Sequence, residues 1–446
     1  MKKKTFIISF LLIFSLFCTG LSASAFYTPS FALDSEAICM INMDTGMVVF
    51  EKNSTVRRSP ASLTKIMTAI IALELTPDLD EEKVTCKDIY SAEFQGWTGL
   101  SHAWISNGEI MTMRSLLYCM MLPSANEAAA SVADHITDGD RPAFIRLMNQ
   151  KAEDLGCTDT HFVNPHGLYD ENQYTTARDM VIIAKYAMDT YPVLREIVST
   201  QSYLLPATNK RGEGWISNSN KLLSPTGGYY YEYACGVKTG TLPQAGRCLV
   251  SMATKGGYSY MIALLGGPYK DENGVNYPTR YDMQETIKLY NWAFSSLDVR
   301  QIIESGETVA QVNVSHASGK DIVRLVPNSD FTLLLPDDVE PSNVQRVVTL
   351  TEETIDAPVK KGEVLGYMTF QLQGQEVGRV NLVAAESVER NNVLYYLEVA
   401  KEIVTSASFL VTSGILGLLI VVYIIYNIIM NKKRRRMKQL SRRKPF

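Results

Sequence analysis

The sequence predicts an α+β fold for the larger part of this 446-residue chain. Three observations predict it: a strand-forming hairpin near the start, a long stretch of helical periodicity, and three strand-like runs followed by one amphipathic helix. Strands and helices that segregate in this way, without regular alternation, are typical of an antiparallel sheet with a block of helices packed against it.

The predicted hairpin opens the fold. Apolar residues run through 37–43, Asp44-Thr45-Gly46 supplies a turn, and residues 47–51 form the second strand. Residues 66–73 are apolar nearly all round, so a helix there is expected in the middle of the domain. Further helices are expected at 112–122, 125–136, 141–155 and 177–187, strands at 234–239, 247–254 and 259–266, and a last helix at 281–294.

A small all-β domain is predicted after this one. Residues 299–390 contain short runs of alternating apolar and polar residues, separated by turn sequences such as Pro327-Asn328-Ser329. The segment holds no cluster of reactive side chains, so a spacer or docking role is expected. The larger domain is then assigned to residues 26–298 and a juxtamembrane segment to 391–406.

Both ends of the chain carry targeting signals. Lys2-Lys3-Lys4, an apolar run at 6–17 and the small residues Ala23-Ser24-Ala25 predict a signal peptide over 1–25, so that the mature chain begins at Phe26. Residues 407–430 carry no charge. At about 1.5 Å per residue they reach roughly 36 Å, enough for a transmembrane helix across a hydrocarbon core of about 30 Å.

Charge predicts the orientation of this span. Residues 431–446 form a basic tail that holds nine lysines and arginines and no acid, a pattern typical of the cytoplasmic side. The larger domain is therefore expected outside the cytoplasm, on a single-pass protein of the cell membrane. Without the tail and the signal peptide, the chain holds 31 basic and 47 acidic residues, which gives a net charge near −16. A nucleic acid is therefore not expected as a partner.

Cysteines and histidines show no metal-binding pattern. The six cysteines that remain after the signal peptide are scattered; we expect mostly buried, unpaired thiols, with disulfides as the alternative in an exported protein. The five histidines lack zinc-ligand spacing, and there is neither a Walker loop nor a dinucleotide fingerprint. Neither a metal nor another cofactor is expected.

Three short stretches carry the predicted chemistry: Ser62-Leu63-Thr64-Lys65, Ser124-Ala125-Asn126 and Lys238-Thr239-Gly240. Ser62 and Lys65 are three residues apart in the first turn of a predicted helix, so they share one helix face. A serine hydroxyl needs a base to become a nucleophile, and Lys65 can serve only when neutral. Burial and a second cation, Lys238, are expected to lower its pKa from about 10.4.

The second stretch lies where one predicted helix ends and another begins. The Ser124 hydroxyl is placed to relay a proton to a leaving group, and the Asn126 amide to hold either the substrate or the lysine. Capping of the following helix by Ser124 is an alternative that does not exclude catalysis.

The third stretch lies on a predicted strand whose edge can pair with an extended peptide. Lys238 and Thr239 supply donors suited to a substrate carboxylate, and Gly240 leaves room for a close approach of backbone. The backbone N–H groups of Ser62 and Thr241 are expected to form an oxyanion hole.

Together these stretches resemble the low-molecular-mass penicillin-binding proteins of the D-alanyl-D-alanine carboxypeptidase family. Flanking residues extend the resemblance over 60–68, 122–129, 162–168 and 236–241. The resemblance implies a penicillin-binding, β-lactamase-like transpeptidase fold with a β-rich second domain and a membrane anchor. It also implies a serine carboxypeptidase that removes the terminal D-alanine from peptidoglycan stem peptides ending in D-Ala-D-Ala. The acyl-enzyme would form on Ser62, cross-linking of the wall would be limited, and β-lactam antibiotics would be inhibitors.

Three departures and two alternatives accompany this resemblance. Ala125 stands where the family has Gly or Asp, Gln173 where it often has His, and residues 258–261 lack an arginine that holds the terminal carboxylate in some members. That role is expected of Lys238 with Thr239, or of Arg247. A β-lactamase is disfavoured because no Glu-x-x-Leu-Asn segment follows the second stretch, and a non-catalytic wall-binding scaffold because every catalytic side chain is present.

Overall fold

The structure, a computed structural model, describes residues 28–87, 94–95, 97, 99–337, 339–372 and 374–441. The predicted signal peptide and the last residues of the basic tail lie outside this part of the chain. The chain divides into two compact units. Of the described residues, the first comprises those up to Asp298 together with Pro336 and Asp337, and the second comprises Val299–Leu335 and those from Val339 onward.

The first unit is built on a five-stranded antiparallel sheet of order β2-β1-β9-β8-β7. Its strands are β1 Ala37–Asn42, β2 Val48–Lys52, β7 Ala234–Leu242, β8 Gly246–Lys255 and β9 Tyr258–Gly267. Every residue of β1 is buried, so the sheet is covered on both faces. Strand β7, which carries the third predicted motif, is an edge strand.

The helices of the first unit confirm the predicted block. In the described residues they are α1 Thr64–Leu75, α2 Met113–Met121, α3 Asn126–Ile136, α4 Arg141–Asp154, α5 Ala177–Thr190, α6 Pro192–Ser199 and α7 Tyr281–Ser296. As predicted, α1 is central: all nine residues from Thr64 to Ala72 are buried. It packs against α2, α3, α4 and α5. Each of its isoleucines contributes about 2 kcal/mol through burial, so the helix that carries Lys65 is held rigidly.

Short elements escaped prediction. These are a 3₁₀ turn at Ala61–Leu63, the helix α6, and the ladders β3 Lys83–Thr85 with β4 Ile110–Thr112 and β5 Ser202–Leu205 with β6 Gly214–Ser217. The turn and the ladder strands have three or four residues each and α6 has eight, all shorter than the windows in which a periodic pattern is recognised. The hairpin of β5 and β6 nevertheless borders the site described below.

The second unit is β-rich, as expected. Its six-stranded sheet has the order β14-β16-β17-β12-β11-β15, and β10 pairs with β13. The strands are β10 Leu297–Ile303, β11 Ala310–Ser315, β12 Ile322–Pro327, β13 Phe331–Pro336, β14 Gln345–Leu350, β15 Thr354–Asp356, β16 Val364–Leu372 and β17 Gln375–Ala384.

Two helices end the described chain. Residues predicted only as a juxtamembrane segment form α8, Asn392–Thr405, and α9 follows at Ala407–Ser441. The stretch Ala407–Met437 is long and apolar enough to cross a membrane, with a mean hydropathy of 2.5 in its most apolar window. Helix α9 thus runs without a break from the predicted span into the basic tail.

Candidate active site

The nucleophile candidate and its base meet at the start of α1. Ser62 lies in the 3₁₀ turn that precedes the helix, and Lys65 lies in the helix's first turn. The prediction that both lie in one helical turn was therefore right in spacing and wrong in helix type. The tighter turn still brings Lys65 Nζ to 3.0 Å from Ser62 Oγ.

The amine of Lys65 has three oxygen neighbours. Besides Ser62 Oγ, it donates to Asn126 Oδ1 at 2.8 Å and to the carbonyl of His166 at 2.5 Å. A neutral amine has two hydrogens and one lone pair. The amide and carbonyl oxygens can only accept, so they take the two hydrogens and leave the lone pair facing the serine hydroxyl.

Burial and charge favour that neutral form. Burial lowers the pKa of Lys65 well below its ordinary value, and the positive charge of Lys238 lowers it further, while Glu127 acts in the opposite direction. Lys238 is buried as well, which lowers its own pKa to about 7. Its Nζ donates to the carbonyl of Thr239 at 3.0 Å. Lys238 thus acts on the pKa of Lys65 in the direction that the sequence analysis expects.

Ser124 lies in the connection between α2 and α3 with an unpaired hydroxyl. Its φ of 67° lies in the left-handed region, which is unfavourable for a residue with a side chain. The capping alternative was wrong, because Ala125 precedes the helix and no side chain caps it. The buried Ser124 Oγ has no hydrogen-bond partner among the described residues. A strained residue with a free hydroxyl is typical of a functional position.

Asn126 is fixed from two sides. Its Oδ1 accepts from Lys65, and its Nδ2 donates to the carbonyl of Ser101 at 3.2 Å. The backbone N–H of Asn126 reaches the same carbonyl at 3.0 Å. The next residue, Glu127, accepts from the backbone N–H of Ala103 at 2.6 Å. The segment 101–103 is thereby tied to the start of α3.

The edge strand β7 lies directly against the nucleophile segment. A Cβ on Gly240 would stand 3.1 Å from the backbone nitrogen of Ser62, so only glycine fits without displacement. Thr239 Oγ1 lies 2.7 Å from Ser219 Oγ. The hydroxyl of Thr241 donates to the carbonyl of Gly240 at 2.8 Å. This bond does not involve the backbone N–H of Thr241, which is one of the two expected oxyanion-hole donors.

Sequence reasoning missed the support that the loop 162–168 gives to this site. The loop supplies the His166 carbonyl to Lys65, and Gly167 packs against the nucleophile turn, since a Cβ there would stand 1.9 Å from the carbonyl oxygen of Ala61. Gln173 accepts from the N–H groups of Val163 and Asn164 at 3.0 Å. The Asn-Pro-His-Gly turn sequence was the available signal.

Arg247 is engaged elsewhere. Its guanidinium donates to the carbonyl of Tyr277 at 2.7 Å and to the carbonyl of Thr279. These bonds fix the segment before α7. Of the two expected carboxylate-binding groups, Lys238 with Thr239 is the one that lies on β7 beside the nucleophile.

Comparison with known proteins decides the family. The profile of the D-alanyl-D-alanine carboxypeptidases matches residues 23–268, and that of the C-terminal domain of penicillin-binding protein 5 matches residues 298–390. The chain belongs to the D-alanyl-D-alanine carboxypeptidase family. The family model covers all the site residues described above, and the second match covers the β-rich segment.

Two sequence relatives and one crystal structure support this family assignment. D-alanyl-D-alanine carboxypeptidase DacF of Bacillus subtilis is 28% identical over 372 residues, which cover 83% of this chain and 90% of the relative. The D-alanyl-D-alanine carboxypeptidase of a Streptomyces species is 33% identical over 283 residues, 60% of this chain and 91% of the relative. The crystal structure of penicillin-binding protein 5 from Haemophilus influenzae is 26% identical with a TM-score of 0.65, covering 82% of this chain and 100% of that one. These similarities support the carboxypeptidase interpretation over the β-lactamase and scaffold alternatives.

Proposed function

We propose that this carboxypeptidase removes the terminal D-alanine from peptidoglycan pentapeptide stems through an acyl-enzyme on Ser62. The observation that carries the proposal is the environment of Lys65. Its buried amine lies 3.0 Å from Ser62 Oγ, and its other two neighbours are oxygens that only accept. A neutral lysine held in this way directs its lone pair at the hydroxyl of Ser62.

Acylation begins when Lys65 takes the proton of Ser62. The freed oxygen attacks the carbonyl of the penultimate D-alanine, and the N–H groups of Ser62 and Thr241 stabilise the negative charge that develops on the carbonyl oxygen. The unpaired hydroxyl of Ser124 donates its proton to the departing amine and regains one from Lys65. D-Alanine leaves, and a water molecule then hydrolyses the ester with Lys65 again as base.

Substrate recognition uses the edge of β7. An extended stem peptide pairs with this strand, while Lys238 and Thr239 hold its free terminal carboxylate. A β-lactam presents a carboxylate and a strained amide in the same relation. It therefore acylates Ser62 and acts as an inhibitor. Loss of the terminal D-alanine removes the donor for cross-linking, so the enzyme limits cross-links in the wall.

The proposed function requires the catalytic unit to lie outside the cytoplasm. We infer that α9 spans the cytoplasmic membrane and that its basic end remains in the cytoplasm. The first unit, which precedes the span and follows the predicted export signal, then faces the wall. Peptidoglycan stems lie on that side of the membrane.

The test is release of D-alanine by the full-length protein in detergent. A pentapeptide ending in D-Ala-D-Ala should yield one D-alanine and a tetrapeptide, and a pentapeptide with an amidated terminus should react ten- to a hundredfold more slowly, since a charge-assisted bond of about 1.5–3 kcal/mol is lost. Rapid hydrolysis of penicillin with the pentapeptide untouched would establish a β-lactamase instead.

A further inference from the structure

A cavity of about 310 Å³ lies beside the catalytic cleft, between the segment 102–104 and the hairpin of β5 and β6. Two tryptophans line it, Trp104 and Trp215, and they are 73% and 70% exposed. Trp104 also has a φ of 57°, in the left-handed region that bulky residues avoid. Exposure of the apolar indole to water and the positive φ each cost free energy, which points to a function for this ring.

Two walls of the cavity are close along the chain to residues of the catalytic site. Pro123 in its wall directly precedes Ser124. In the wall formed by β6, Ser217 is two residues from Ser219, whose hydroxyl lies 2.7 Å from Thr239 Oγ1. A ligand in this cavity therefore lies next to a substrate bound at the nucleophile.

The polar groups of the cavity are balanced in charge. Arg211 Nε lies 2.9 Å from Oε1 of the fully buried Glu109, and Nη1 donates to the carbonyl of Ala103 at 2.7 Å. Arg211 Nη2 and His102 Nδ1 are buried and have no hydrogen-bond partner within the described residues. Since Glu109 neutralises the guanidinium, the site favours an uncharged ligand that offers hydrogen-bonding groups.

These features select one chemical class. The flat C–H faces of a pyranose ring pack on exposed aromatic rings. Hydroxyl and acetamido groups both donate and accept, so they suit a guanidinium N–H and a histidine nitrogen that have no partner. A volume near 310 Å³ is at the small end of ligand sites and suits one sugar ring. We propose that this cavity binds an N-acetylated amino sugar of the peptidoglycan glycan strand; this rests on the function proposed above.

Two sources of the sugar are possible in a wall. One is the sugar that carries the stem under attack: three further stem residues span about 10 Å, which bridges neighbouring sites. The other is a sugar of an adjacent strand. In both cases Trp104 and Trp215 contact the sugar ring, and competition by a disaccharide without a stem distinguishes the two sources.

The test compares two substrates of the full-length enzyme: the free pentapeptide and the same pentapeptide attached to its N-acetylated disaccharide. If the sugar belongs to the attacked stem, the disaccharide form should have a KM about tenfold lower at equal kcat. Trp104→Ala and Trp215→Ala should each reduce this advantage to twofold or less, with turnover of the free pentapeptide changed less than twofold. Tyr230→Ala, which removes an exposed aromatic ring outside the cavity, should retain the advantage.

The stemless disaccharide distinguishes the two sources. If the sugar belongs to the attacked stem, the disaccharide should compete with the disaccharide-pentapeptide and should quench tryptophan fluorescence in wild type but not in Trp215→Ala. If it belongs to an adjacent strand, the disaccharide should bind without competing, and the two substrates should share one KM.

Two results would overturn the sugar site. One is equal KM values together with no binding of the disaccharide. The other is a tryptophan substitution that slows both substrates equally, which would indicate a structural role. Failure of the proposed function is a separate result, because neither substrate would then release D-alanine.

Discussion

At the scale of single residues, Ser62 and Lys65 act as one unit, and their substitutions should not add. Ser62→Ala removes the nucleophile and should abolish covalent labelling by a fluorescent penicillin. Lys65→Ala removes the base and should be nearly as damaging, while the double variant should be no worse than either. Ser131→Ala, which deletes a buried hydroxyl outside the site, is the matched control and should label normally. Labelling of Ser62→Ala at another serine would contradict the assignment.

The charges around Lys65 predict opposite shifts of the pH profile. Acylation needs the neutral amine, so it is lost as the pH falls through the pKa of Lys65. Lys238 lowers that pKa, so Lys238→Gln should move the acid limb to higher pH. Glu127 raises it, so Glu127→Gln should move the limb to lower pH.

The measurement for this pair is the rate of penicillin acylation across the pH range. Lys238→Gln also weakens binding of the penicillin carboxylate, which lowers the acylation rate at every pH. The comparison therefore uses the pH at which the rate falls on the acid side, and not the maximum rate. Glu127→Gln keeps an acceptor for the N–H of Ala103, so the segment 101–103 stays in place. Shifts in the same direction, or no shift in either variant, would show that these charges do not set the pKa of Lys65.

At the scale of elements, the contact between β7 and the nucleophile turn depends on a missing side chain. A Cβ at position 240 would lie 3.1 Å from the nitrogen of Ser62, so Gly240→Ala should displace the turn by a few tenths of an ångström. We expect acylation to fall about ten- to a hundredfold. The melting temperature should change by only a few degrees, corresponding to about 1 kcal/mol.

Gly167→Ala is the informative comparison. Its Cβ would lie 1.9 Å from a main-chain oxygen, and its φ of 89° disfavours a side chain, so that variant should lose stability as well as activity. Unfolding curves and acylation rates measured on both variants check the difference. Normal acylation in Gly240→Ala would show that the close approach is not required.

Elements with a strong periodic pattern were predictable, and short ones were not. The helix expected at 177–187 extends over Ala177–Thr190, and the hairpin expected from residue 37 is β1 with β2. The ladder of β5 and β6 has four residues per strand and escaped, although it forms a wall of the cavity beside the cleft. Propensity and periodicity need longer windows than such ladders offer.

Within the site, side chains separated by a recognisable number of residues could be predicted. Groups that distant segments of the chain supply could not. The pairing of Ser62 with Lys65 follows from their separation by three residues. The carbonyl of His166 reaches Lys65 from 101 residues away, and a main-chain oxygen carries no sequence signature. The positive φ of Ser124 was equally hidden, so capping was a reasonable but wrong alternative there.

At the scale of the whole molecule, charge is segregated along the chain, and this predicts the topology. The nine basic residues of the tail follow an apolar stretch, and the residues between the predicted signal peptide and the tail carry a net negative charge. Each basic residue would be costly to move across the hydrocarbon core, at about 2.5–3.5 kcal/mol at its centre. Helix α9 is therefore expected to span the membrane with Ala407 near the outer surface and its basic end in the cytoplasm.

Cysteine labelling in cells tests this orientation directly. Five of the six native cysteines in the described chain are buried, so the background reaction of the wild type should be low. A membrane-impermeant maleimide should label Lys401→Cys in intact cells, because this exposed position in α8 precedes the span. Ser441→Cys, beyond the span, should react only after the membrane is permeabilised. Labelling of Ser441→Cys in intact cells would place the basic tail outside, and the electrostatic argument for the orientation would then fail, since the nine charges would have crossed.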